Sequence, residues 1–116
     1  MEGFEKLEVW KRSIGLSVKV HSTFTSCRDF SFRDQIQRSA DSISNNIAEG
    51  SERLSKAEFR NFLSYAKGSA GELRSQTHLA QKLNYIDAVT ATQWNSELLE
   101  ISRMLYGLIK SLENSK

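Results

Sequence analysis

Four cations recur at one spacing in the middle of the chain. Arg53, Arg60, Lys67 and Arg74 each stand seven residues from the next. On a helix such a set drifts only about 20° per step, so it forms a ridge along one face. A row of guanidinium and ammonium groups suits a polyanion, because each can neutralise a phosphate of a nucleic-acid backbone. An ordinary solvated face can carry the same charges. A second constellation is polar. Arg38, Ser42, Asn46 and Glu49, spaced 4, 4 and 3, share one helix face. Such a set can form a hydrogen-bonded network that fixes the register of two helices or two subunits, or it can line a binding surface.

Other chemistry finds no matching pattern. Cys27 is the single cysteine, so no intrachain disulfide forms. It has Arg28 beside it but no histidine near, which describes an incidental loop cysteine better than a nucleophile. A di-iron site in a helical bundle needs Glu-x-x-His pairs, and neither His21 nor His78 has a glutamate three residues before it. The sequence contains no His/Cys cluster with zinc spacing, no phosphate-binding glycine loop and no nucleophile elbow. The expectation is a protein without metal or cofactor and without enzymatic activity. His21 falls on an apolar stripe and is expected to be a half-buried packing residue, and Trp10 and Trp94 to be core or interface anchors.

The elements that carry these residues follow from periodicity. The chain has 116 residues, enough for one domain, 1–116, with a core of its own. It has no proline, which favours long uninterrupted helices. Helix one is predicted over 4–25, with Leu7, Trp10, Ile14, Val18, His21 and Phe24 at alternating steps of three and four. Helix two is predicted over 31–49, capped by Ser31 with Asp34 as a weak capping box; its stripe is Phe32, Ile36, Ala40, Ile43 and Ile47. Gly50 is placed as its left-handed C-terminal cap. Helix three is predicted over 55–84. Ser55 and Glu58 form a capping box, and Leu54 and Phe59 a hydrophobic staple. Its apolar face is Phe59, Phe62, Ala66, Leu73, Ala80 and Leu83. Gly68 and Gly71 each cost about 1 kcal/mol inside a helix, so another backbone is expected to approach them closely. Asn84 and Tyr85 mark a turn, and Asp87 caps helix four, predicted over 87–113. There Trp94, Leu98, Ile101, Leu105, Leu108 and Leu112 keep a heptad spacing, widened by Leu99, Met104 and Ile109. The last residues, 113–116, are expected to fray. Four helices with short links make an all-α, antiparallel up-down-up-down four-helix bundle.

Net charge is only +2, so its distribution matters more. Over 55–84 five basic residues stand against two acidic ones, and over 4–25 four against two, while helices two and four are slightly acidic. The charged N-terminus lacks the apolar core of a signal peptide, and no apolar run is long enough to span a membrane. The expected compartment is the reducing cytoplasm.

The order of the pieces is itself specific. Phe4-Glu5-Lys6-Leu7-x-Val9-Trp10 opens the chain. Gln35-Ile36-x-Arg38-Ser39-Ala40-x-Ser42-Ile43-x-x-Asn46-Ile47-Ala48-Glu49-Gly50 follows. Then come Glu58-Phe59-x-x-Phe62-Leu63, Gly68-Ser69-x-x-Glu72-Leu73 and Arg103-Met104-Leu105-x-Gly107-Leu108. This order resembles the bacterial four-helix-bundle proteins encoded within intervening sequences of 23S ribosomal RNA genes. The resemblance covers nearly the whole chain, and Asn46 to Gly50 is its most distinctive part. It departs at Ser26-Cys27-Arg28-Asp29, a shorter link than is usual there. The resemblance implies assembly into a ring-like homopentamer. It also implies kinship in fold with the accessory proteins of diversity-generating retroelements, which assist a reverse transcriptase and bind nucleic acid. Gln35, Arg38, Ser42, Asn46, Glu49, Gly50 and Glu72 fall on its polar motif. The expected partners are further copies of the chain and RNA, contacted through Arg53, Arg60, Lys67 and Arg74. The alternative is a protein-interaction scaffold or accessory subunit for a nucleic-acid enzyme.

Overall fold

Three of the four helices start where a side chain satisfies an orphan amide, as the computed structural model, which describes residues 3–114, makes visible. Helix α1 is Glu8–Phe24, α2 is Phe30–Ser51, α3 is Lys56–Lys82 and α4 is Ala88–Asn114. Asp29 caps α2 by accepting from the Phe32 amide at 3.1 Å. Ser55 caps α3 by accepting from the Glu58 amide at 3.1 Å. Asp87 caps α4 by accepting from the Thr90 amide at 2.8 Å. Each such cap is worth about 1 kcal/mol. The α2 cap corrects the sequence expectation: Asp29 takes the place assigned to Ser31.

The helices pack in sequence order as an up-down bundle measuring 48 × 20 × 19 Å. The α2–α3 and α3–α4 faces are extensive, and α1 meets α4 over a thinner seam. The predicted stripe of α2 is buried as Ile36, Ala40, Ile43 and Ile47, with Phe32 partly buried against it. From α3 come Leu63, Ala66, Ala70, Leu73 and Ala80, and from α4 Trp94, Leu98, Ile101 and Leu105. Each of the larger side chains contributes roughly 1.5–3 kcal/mol by leaving water. Leu83, placed on the apolar face of α3 by its period, lies beyond the helix end and is exposed.

Helix one departs from expectation twice. A 3₁₀ turn at Phe4–Lys6 precedes it, and Leu7, extended at φ −76° and ψ 123°, separates the two. The buried face is Val9, Ser13, Leu16, Ser17, Val20 and Phe24, not the stripe through Ile14, Val18 and His21. Ile14 is 37% and Val18 63% exposed. Ser13 is tolerated inside because its hydroxyl donates to Val9 O at 2.8 Å.

Gly50 is helical rather than left-handed, and no described glycine has positive φ. Its role is room. A methyl on Gly50 would stand 2.6 Å from Phe62 Cβ and 3.0 Å from Phe59 Cδ1, so α2 and α3 converge here because residue 50 lacks one. The staple is absent, since Leu54 is fully exposed. The close approach expected at Gly68 and Gly71 is absent within the chain too, for a methyl at either would meet nothing within 4 Å. The left-handed residue is Asn84, φ 62°, past the end of α3. The Tyr85 amide donates back to Ala80 O at 2.9 Å, closing that helix end in the six-to-one pattern. At the other end of the chain α4 stays helical through Asn114, and 115–116 lie outside the described residues.

Polar contacts between distant parts of the chain tie the bundle, among them two with charged partners. Arg12 grips Glu97 in a fork, Nε to Oε2 at 2.8 Å and Nη2 to Oε1 at 2.6 Å, bridging α1 and α4. That hydrogen bonding holds the Glu97 carboxyl below the usual carboxylate range. The Tyr85 hydroxyl donates to Asp29 Oδ2 at 2.7 Å, joining the α3–α4 turn to the α1–α2 link. It lowers the Asp29 pKa, with the Phe32 amide adding to the effect.

Candidate nucleic-acid interface

The buried stripe of α3 determines where its cations can stand. Leu63, Ala66, Ala70, Leu73, Thr77 and Ala80 face the core. Arg60, Lys67 and Arg74 repeat every seven residues along one edge of that stripe. Arg60 identifies the edge as the α4 side, because its Nη1 donates to Leu112 O at 3.5 Å in the last turn of α4. A cation there also meets the negative end of the α4 dipole. Arg60 and Arg74 are half-buried and Lys67 is exposed. Among the described residues neither Lys67 nor Arg74 has an ion-pair partner. At 1.5 Å per residue the three cations cover about 21 Å of helix.

Arg53 stands apart from them. It lies in the α2–α3 turn, before α3 begins. Its guanidinium is 2.7 Å from Glu49, 3.9 Å from Glu58 and 4.8 Å above the Phe62 ring. Two carboxylates therefore already meet its charge. The seven-residue spacing runs across the helix boundary that the Ser55 cap marks.

The polar motif divides in a similar way. The Ser42 and Ser69 hydroxyls lie 2.8 Å apart and join α2 to α3. Asn46 Nδ2 donates to Ser42 O at 2.8 Å and to Ser42 Oγ at 3.0 Å. Gly50 extends the same α2–α3 contact by its small size, and Glu49 pairs with Arg53. Gln35, Arg38 and Glu72 are exposed and take no part in this network. Small residues and a short hydrogen-bonded chain thus line the helix contact, and the charged members of the motif lie outside it.

His21 is exposed, not half-buried; its Nε2 lies 2.9 Å from Asp41 Oδ1 and links α1 to α2. Trp94 is buried beside Phe24, which removes it as a stacking surface. Trp10 is half-buried against Phe4. Cys27 is half-buried at the end of the bundle, its sulfur 3.8 Å from Asp29 O. Among the described residues no group of three His, Cys, Asp or Glu side chains is disposed to hold a metal ion, and no helix is long and apolar enough to cross a membrane.

One residue escaped the sequence reading. Tyr106 is 55% exposed on α4 beside the buried Leu105. The signal was present: it sits one residue past the heptad stripe, so the ring must leave the core.

Comparison with known proteins agrees with the fold. The family model described as 23S rRNA-intervening sequence protein matches residues 5–107. Among solved structures the chain is similar to a protein of unknown function from the S23 ribosomal protein family of Bacteroides thetaiotaomicron. The two are 28% identical over 88% of this chain and 98% of that one, with a TM-score of 0.82. No curated protein matches. Since the family match runs from Glu5 to Gly107, nearly the length of a chain that folds as four helices in series, the protein belongs to the 23S rRNA-intervening sequence protein family.

Proposed function

We propose that this protein is a non-enzymatic, oligomeric RNA-binding module whose phosphate contacts come from Arg60, Lys67 and Arg74. The observation that carries the proposal is the row itself: three cations over about 21 Å of one helix edge, none of them in an ion pair among the described residues. Uncompensated cations in a line cost self-repulsion and gain by releasing the counterions of a phosphate backbone. One such row is a weak ligand. Assembly into a ring of five copies would repeat it and convert weak contacts into avidity.

The test is fluorescence anisotropy of a labelled structured RNA, titrated at several salt concentrations, with light scattering on the same sample. Micromolar or tighter binding should weaken linearly in log–log form as salt rises. The double variant Lys67→Glu, Arg74→Glu should lower the slope by roughly 0.7–0.9 per lost phosphate contact. Both positions leave the core intact, so circular dichroism should be unchanged. A well-formed oligomer that binds no RNA at low salt would end this reading.

A second reading, a scaffold for a protein partner such as a polymerase, rests on a separate observation. Ile14 and Val18 place apolar surface on the outer face of α1. Docking there would change little with salt, which separates it from phosphate-driven binding.

A further inference from the structure

The α3–α4 seam adds an aromatic surface to the cation row. Two contacts set the register of these antiparallel helices. His78 Nε2 lies 3.3 Å from Asn95 Nδ2, and Arg60 Nη1 lies 3.5 Å from Leu112 O. Both helices rise equally per residue, so the positions between these contacts follow. Lys67 stands level with Tyr106, and Arg74 stands level with Leu99. Asn95, Leu99 and Tyr106 share one flank of α4 by helical period, the flank Asn95 turns to α3. Tyr106 is 55% and Leu99 49% exposed. Two cations of the row therefore each have an uncovered apolar side chain across the seam, and one of these is a ring.

A lone exposed tyrosine is ordinary. The pairing is informative because the two classes of RNA would use it differently. A duplex keeps its bases stacked inside and its deep major groove closed to side chains, so it would touch only the cations. An unpaired strand exposes base faces beside its phosphates, and proteins that hold such strands join a basic track to aromatic stacking surfaces. We infer that the ligand of this site is unpaired RNA, a single strand, loop or bulge, with one base stacked on Tyr106 and the adjoining phosphates on Lys67 and Arg74. This rests on the RNA-binding function proposed above. The base face takes over the apolar surface that the ring now shows to water. The Tyr106 hydroxyl is not needed for stacking.

The experiment compares a labelled single-stranded RNA with a perfect duplex of equal length, against the native protein, Tyr106→Ala, Tyr106→Phe and Lys67→Glu. The single strand should bind the native protein more tightly than the duplex. Tyr106→Ala should weaken single-strand binding about 5- to 150-fold with the salt slope unchanged. Tyr106→Phe should restore it, and duplex binding should ignore both changes. A 2-aminopurine placed in the strand should lose fluorescence on binding the native protein and keep it with Tyr106→Ala. If the duplex binds as tightly as the single strand, or Tyr106→Ala binds within twofold of native, the stacking inference is wrong. Continued loss of binding with Lys67→Glu would then leave the phosphate site standing. If neither RNA binds the native protein, the phosphate site falls and the stacked base falls with it.

Discussion

Gly50→Ala tests whether α2 and α3 are held as close as their contact implies. The added methyl would sit 2.6 Å from Phe62 Cβ, 3.0 Å from Phe59 Cδ1 and 3.3 Å from Phe59 O. Ordinary carbon contacts are about 3.5–4.0 Å, so the helices must part by roughly 1 Å at this end. A Cβ is fixed to its backbone, and no rotamer change of Phe62 removes the clash. Overpacking costs about 1–3 kcal/mol, and a clash with fixed atoms belongs at the upper end. Against it, alanine is favoured over glycine in a helix by about 1 kcal/mol. The expected net loss is about 2 kcal/mol. Gly68→Ala supplies the control on the same scale. It is helical, and its methyl meets nothing within 4 Å, so it should gain about 0.5–1 kcal/mol. Urea unfolding followed by circular dichroism, at one fixed protomer concentration, measures both. Heating should show Gly50→Ala melting several degrees earlier and Gly68→Ala later. A Gly50→Ala protein as stable as the native one would refute the claim that residue 50 sets the α2–α3 distance.

Other outcomes follow from the polar contacts. The Glu97 and Asp29 carboxyls have lowered pKa values, so their contribution is complete at neutral pH and is lost as pH falls through the carboxylate range and then through those lowered values. Glu97→Gln should flatten the acid limb of a stability–pH profile and leave the alkaline limb unchanged. Tyr85→Phe removes the largest cause of the Asp29 shift, and carboxyl NMR titration should find Asp29 closer to its ordinary value. Asn46→Leu removes two hydrogen bonds to Ser42 and should cost about 1 kcal/mol or more by urea unfolding. If instead stability and oligomer mass hold while RNA binding disappears, Asn46 is a binding residue and not a register-setting one.

Much of the bundle was legible because short-range physics wrote it. In α2 the large apolar residues Ile36, Ile43 and Ile47 stand in one period with no competitor, and that face is buried. Ser55 and Asp87 announce their helices because a cap acts within three residues. Helix α1 was misread for a physical reason. Its sequence holds two helical stripes, and the one through Ile14 and Val18 has the larger side chains. The buried stripe contains Ser13 and Ser17, and Ser13 satisfies its hydroxyl against Val9 O. Periodicity offers both faces and cannot choose between them.

By itself the sequence determined the number of helices, the caps at Ser55 and Asp87, and the row of cations along α3. These depend on residues within a few turns of one another. Only the tertiary structure decided which face of α1 turns inward, that Gly50 is needed for close packing, and which cations already have partners. Arg53 is met by Glu49 and Glu58, Arg60 touches the end of α4, and Lys67 and Arg74 have no ion-pair partner among the described residues. Each of these outcomes depends on which helix lies alongside, and packing joins residues too far apart along the chain for local spacing to record.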